Sequence, residues 1–267
     1  MNTDTGMTAG RTASDYRVKP SLKMALIVVV IYSIYLYTME YFSGVPYTDV
    51  AKSVETMTRF ALIPIGGGAL LLAAFALISG WWVDLWHDKY KLDKPVWLGL
   101  FAVLMIIGII ASFASGNIFS NSVTYVLVAA VAMACVGFTE EILFRGIVLR
   151  GARGSGYSET KVMLIVAVSF GVWHLANVVL GSPLFAVLVQ VIQASIVGGA
   201  FYMIFRKSGL LIVPMILHAF HDFALFTKGI EVTSARANLA LITLVLPLIY
   251  LILLVVARNY INVKEDG

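Results

Sequence analysis

The sequence is poor in cysteine, in charge and in long connections. Its one cysteine, Cys135, lies inside an apolar run, which excludes a disulfide framework or a thiolate metal cluster and reads as a packing thiol. Only 13% of the 267 residues are charged against 60% hydrophobic, and the mean hydropathy is +0.91. Such a composition excludes an ordinary soluble domain. No connection is long enough for an extra domain; the longest are the stretch before residue 22, the segment around 42–59 and "DLWHDKYKLDKP" at 84–95. A long internal repeat is missing too, which weakens an inverted-repeat transporter reading. The first twenty residues are polar, and the apolar run after them ends without a small-residue cleavage site, so 1–21 is expected to be a polar cytosolic leader rather than a signal peptide.

What the chain does have is apolar runs near the ~20 residues needed to cross a bilayer. They fall at about 22–41, 60–83, 96–114, 123–149, 161–180, 184–205, 210–227 and 238–257. An all-α, polytopic membrane protein of about eight transmembrane helices follows, with one helical membrane domain at 22–257 and a cytosolic tail at 258–267. Lys and Arg divide unevenly between alternate connections. Arg17, Lys23, Lys89, Lys91, Arg150, Arg153, Lys161, Arg206 and Lys207 are among those on one side, together with Arg11 and Lys264, while Lys52, Arg59, Lys228 and Arg236 take the other. By the positive-inside rule both termini face the cytoplasm. The basic balance then needs no nucleic-acid partner. Aromatics at span ends, in "YSIYLYTMEYF" and "WWVDLW", read as interfacial anchors. The glycines at 66–68 and 198–199 read as close helix packing.

Glu140, Glu141, Arg145, His174, His218 and Asp222 lie inside the runs. An intramembrane charge costs about 2.5–3.5 kcal/mol at a helix centre, so these groups should face the interior and find partners. Glu141 and Arg145 stand at i, i+4 and can pair. His218 and Asp222 have the same spacing on span seven, Asn177 follows His174 by three residues on span five, and Glu140 points about 100° away from Glu141. Counted at 1.5 Å per residue from Arg150, Lys161 and Lys207, the four groups Glu140, His174, His218 and Asp222 come to about 15–22 Å, a shared level somewhat nearer the cytoplasm. A carboxylate and an imidazole on one water make a general-base unit, and a second imidazole could stabilise an oxyanion. Hydrolysis inside the membrane is the reaction class these residues suggest. His221 reads as a satisfied interior or cavity-lining histidine, and His87 as solvated.

Three motifs carry a family resemblance. "EEILFR" (Glu140 to Arg145), "FGVWH" (Phe170 to His174) and "HAFHD" (His218 to Asp222) resemble the EExxxR, FxxxH and HxxxN/D motifs of the CAAX-protease and bacteriocin-processing (Abi) family. Similarity runs over about 123–227. The resemblance implies an eight-helix intramembrane endopeptidase, similar to the Ras-converting CAAX endopeptidase, with its catalytic core on helices 4, 5 and 7. It implies that Glu140 and His174 activate water, that His218 with Asp222 supports the oxyanion, and that Glu141 and Arg145 order the site. Phe170 and Asn177 are expected as substrate-binding or supporting residues. Position 222 is Asp where the CAAX-cleaving branch has Asn; a carboxylate cannot donate unless protonated, so orienting His218 is another role for it. A metal-free mechanism is expected. The alternative is zinc on Glu140, His174 and His218, although no HExxH helix is present.

The expected partners are the lipid bilayer and a hydrophobic or lipidated peptide substrate near the cytosolic leaflet. The expected setting is a bacterial plasma membrane, with a role in peptide maturation or bacteriocin immunity. A non-catalytic membrane scaffold or immunity protein and a proton-coupled transporter are the competing readings.

Overall fold

A computed structural model describes residues 16–228 and 234–262. Arg11 and Lys264, most of the expected leader and the end of the expected tail lie outside those residues. The described chain is predominantly helical, and its described residues form no strand. Eight long helices run in order: α1 Leu22–Phe42, α2 Val54–Ser79, α3 Val96–Ser115, α4 Val123–Gly154, α5 Glu159–Val178, α6 Leu184–Ser208, α7 Ile212–Thr227 and α8 Ser234–Ala257. Six of them are long and apolar enough to cross a membrane, and the other two contribute shorter apolar stretches. This is the polytopic helical architecture expected from hydropathy.

Local chemistry sets the helix ends. Ser21 Oγ accepts the Met24 N–H at 3.2 Å and caps α1, and Ser122 caps α4 in the same way through the Tyr125 N–H. Ser53 and Thr56 form a reciprocal capping box that starts α2. That cap moves the start of α2 ahead of the apolar run, which hydropathy had begun at 60. The helix stops at Gly80, in the left-handed region at φ 83°, so "WWVDL" is not part of it.

Long apolar side chains such as Ile31, Leu70, Ile110, Val131, Leu188 and Ile252 stay exposed around the bundle, as a lipid-facing surface requires. Not all aromatics at span ends are anchors. Phe42 is 78% exposed, but Tyr32 is 2% and Trp81 0%. The Tyr37 hydroxyl donates to the Trp173 carbonyl at 2.7 Å. Hydropathy does not register which face of a helix an aromatic occupies.

Helix α5 packs along α6, α4 along α7, and α3 along α8. Two glycines permit the first two contacts. A Cβ on Gly171 would lie 2.4 Å from the Val191 carbonyl oxygen of α6, and one on Gly137 would lie 2.5 Å from the Met215 carbonyl oxygen of α7. The glycine pairs read from sequence pack closely as well: Gly68 lies against Tyr32 and Gly199 against Leu254.

At the end of the bundle carrying the basic connections, two of the counted cations are internal struts. Arg153 binds Asp88 at 2.7 Å and Glu159 at 2.6 Å; Arg206 binds Asp88 at 2.9 Å and also Glu159. Arg206 donates to the Tyr90 carbonyl at 3.0 Å as well. This cluster fastens the 84–95 connection to α4, α5 and α6.

Candidate active site

The EExxxR segment lies where α4 changes its winding. After Glu141 the helix becomes π-helical over Ile142–Val148, and all seven of those residues are buried. Such a turn re-aims side chains and is common at functional sites. Here Glu141 and Arg145 are 0% exposed and pair at 2.9 Å. A second guanidinium nitrogen, Nη2, donates to the Gly198 carbonyl at 2.8 Å. The guanidinium also faces the Phe170 ring, 4.5 Å from its centroid, and the Phe201 ring at 5.3 Å. Two aromatic faces, one carboxylate and one carbonyl therefore hold this buried cation.

A cavity of about 430 Å³ opens on the other side of that pair. Glu140 of α4, Phe170, His174 and Asn177 of α5, and His218, His221 and Asp222 of α7 all line it. Glu141 and Arg145 do not. Every residue of the expected site is thus in or immediately behind one cavity, with Glu141 and Arg145 forming the support.

The histidines are held by different devices. His174 Nδ1 sits 2.8 Å from the Phe170 carbonyl oxygen. Since a carbonyl only accepts, Nδ1 carries the proton and the neutral ring keeps its lone pair on Nε2. Phe170 and Trp173 hold the ring edge to face, at 5.1 Å and 5.7 Å. His218 Nδ1 lies 2.8 Å from Glu141 Oε1, the same oxygen that accepts from Arg145. Its ring stacks on Phe201 at 4.7 Å and 20°. His218 Nε2 is 3.6 Å from Glu140 Oε2 and 3.5 Å from Asp222 Oδ2, both longer than a hydrogen bond. His218 lines the cavity together with both of those carboxylates.

Asp222 differs from expectation in its direct partner. Its Oδ1 accepts from His221 Nδ1 at 2.9 Å, so the close bond is to the neighbouring residue and His218 is only approached. His221 lines the cavity, as read. Asn177 donates to Gln190 Oε1 at 2.9 Å, and Gln190 Nε2 donates to the Tyr47 hydroxyl at 3.3 Å. His87 is exposed.

Sequence reasoning overlooked Glu40, Tyr47 and Gln190, all of which line the cavity. Glu40 is the only acidic residue in the first apolar run, which was the available signal. These residues also extend the cavity beyond the level of Glu140, His174, His218 and Asp222. Glu40 lies in the last turn of α1, and Tyr47 and Val50 lie in the connection that follows. No lining residue comes from the 84–95, 154–159 or 206–211 connections. The cavity thus extends to the end of the bundle away from the basic connections. Residue counts along single helices located side chains, whereas the shape of the void depends on what neighbouring helices leave between them.

Among the described residues, no three of His, Cys, Asp or Glu converge as a metal-ligand set. In this arrangement Glu140, His174 and His218 do not make one.

Residues 121–224 match the family described as Type II CAAX prenyl endopeptidase Rce1-like. The matched stretch contains all three motifs and bears out the resemblance they carry. No curated protein matches the chain.

Proposed function

With an Rce1-like CAAX endopeptidase core at 121–224 as the premise, we propose that this multi-pass membrane protease hydrolyses a peptide bond of a membrane-associated or hydrophobic peptide with water activated by Glu140 and His174. One observation carries the reading. Glu140, His174 and His218, from three different helices, line one cavity, and the Phe170 carbonyl holds His174 so that Nε2 is its acceptor.

In the proposed reaction Glu140 takes a proton from a water oriented by His174 Nε2, and the oxygen attacks the scissile carbonyl carbon. The C=O π pair moves onto oxygen, where His218, acting as an imidazolium with a proton on each ring nitrogen, stabilises it through Nε2–H. Collapse breaks the C–N bond, and the proton held by Glu140 passes to the leaving amine. One water is consumed, giving a new carboxyl group and a new amine. Glu141 fixes the His218 ring by accepting its Nδ1–H, and Arg145 pairs with the same Glu141 oxygen. As a carboxylate, Asp222 is an acceptor, and it orients His221 while facing His218.

The unequal division of Lys and Arg supports both termini in the cytoplasm; a bacterial plasma membrane as the setting and a single membrane domain over 22–257 are part of the same proposal. The cavity then reaches toward the outer side, which favours secreted or exported peptides, in maturation or bacteriocin immunity, over a cytosolic tail.

The test is cleavage of a fluorogenic library of hydrophobic and lipidated peptides by purified, detergent-solubilised protein. Wild type, Glu140→Ala and His174→Ala are compared with and without a zinc chelator. Cleavage by wild type alone, unaffected by chelator, is the expected result. Loss of activity in chelator would replace the metal-free mechanism, and equal inactivity of all three proteins would favour a scaffold or transporter.

A further inference from the structure

The cavity holds a third carboxylate that the proposed chemistry does not use. Glu40 is 5% exposed and lines the same void as Glu140 and Asp222. Those two face His218 at 3.6 and 3.5 Å. Glu40 has no such neighbour. Among the described residues its side chain makes no hydrogen bond or ion pair; Ser43, through its Oγ and its backbone N–H, reaches Glu40 only at the backbone carbonyl. No Lys or Arg is among the described lining residues. Arg59, on the neighbouring helix, is committed to Glu55 and to the Ser43 carbonyl.

A buried carboxylate with no partner is costly, and a cation docking beside it relieves that cost. A substrate carboxylate, by contrast, would enter a space lined by three acidic groups with no lysine or arginine to receive it. Along the same end of the cavity, Tyr47, Gln190 and Asn177 form a hydrogen-bonded chain of neutral polar groups suited to a peptide main chain.

We propose that Glu40 is a specificity-determining residue: it receives a cationic group of the substrate, so the protease selects hydrophobic peptides with a positive charge near the scissile bond over peptides ending in a free carboxylate at that point. This rests on the proteolytic reading. The cation is a Lys or Arg side chain or a free α-amine.

The test uses the full chain and one hydrophobic peptide scaffold bearing Lys, Gln or Glu at successive positions. Each peptide has a free or acetylated N-terminus, and a farnesylated peptide with a free C-terminal carboxylate is included. A charged hydrogen bond contributes about 1.5–3 kcal/mol, so kcat/KM for the best Lys peptide should exceed that of its Gln twin by about tenfold or more. The difference should lie in KM. In Glu40→Gln the Lys-to-Gln ratio should fall toward one, and in Glu40→Lys the preference should turn to the Glu peptide. A Lys preference that survives acetylation assigns the side chain, and one lost on acetylation assigns the α-amine. A Lys-to-Gln ratio that is near one in wild type, or unaltered in Glu40→Gln, overturns the proposal, as does preference for the farnesylated free acid. If wild type cleaves nothing, the proteolytic reading fails separately. Fluorescence anisotropy of the labelled Lys and Gln peptides on wild type and Glu40→Gln then decides, with equal affinities overturning the Glu40 assignment.

Discussion

His218 Nδ1 and Glu141 Oε1 lie 2.8 Å apart across the contact between α7 and α4. The same oxygen accepts from Arg145 at 2.9 Å, so one carboxylate atom couples the buried cation to the ring proposed to face the oxyanion. Removing Glu141 or Arg145 breaks this buried ion pair, which costs about 3–5 kcal/mol. Glu141→Gln and Arg145→Met should each lower the thermal unfolding temperature in detergent markedly. The double variant Glu141→Leu/Arg145→Met should be less destabilised than their sum, because no charge is then stranded. An additive result would show that the pair does not act as a unit.

The proposed base unit gives a kinetic prediction. Glu140→Gln keeps the size of the side chain and loses the proton acceptor, so kcat should fall by about 10²–10⁴ with little change in KM. Single-turnover cleavage measures the chemical step directly. A fall confined to KM would assign Glu140 to binding instead.

Asp222 accepts from His221 Nδ1 at 2.9 Å, and an asparagine oxygen can accept the same N–H. Hydrolysis by Asp222→Asn should therefore stay within about tenfold of wild type, whereas Asp222→Leu, which strands that N–H, should lose about tenfold to a hundredfold, the worth of a charged hydrogen bond. Equal losses in the two variants would mean that the negative charge itself is needed.

Two close helix contacts can be tested without touching a polar group. An added Cβ at Gly137 meets the Met215 carbonyl oxygen at 2.5 Å, and one at Gly171 meets the Val191 carbonyl oxygen at 2.4 Å, while nothing lies within 4 Å of one at Gly66. Gly137→Ala and Gly171→Ala should each cost about 1–3 kcal/mol and reduce cleavage by separating the helices that bring the site together. Gly66→Ala should be neutral or slightly stabilising. Thermal unfolding of the three variants in one detergent makes the comparison, and equal melting temperatures would remove the packing argument.

Hydropathy made the eight helices legible because a bilayer demands runs of apolar side chains whatever their neighbours. It misjudged the edges of α2, where the Ser53 and Thr56 cap and the Gly80 turn decide. It also misread Tyr32, Tyr37 and Trp81, since burial depends on which face meets another helix. In the site, the i, i+4 pair Glu141–Arg145 could be read directly because both residues ride on one helix. The bonds from His218 to Glu141 and from His221 to Asp222 could not, the first because it crosses between helices and the second because it depends on side-chain rotamers.

The sequence by itself determined that this chain is a polytopic helical membrane protein and which helices bring ionisable groups into its interior, because the cost of placing a charge in lipid is set by each residue and its span alone. Its three motifs pointed to the family. Only the tertiary structure decided that Glu141 supports His218 from behind the cavity wall, that Arg153 and Arg206 are struts, and that Glu40 joins the cavity from outside every motif. Those relationships arise between residues up to 182 positions apart, and only the packing of one helix face against another brings such residues within reach.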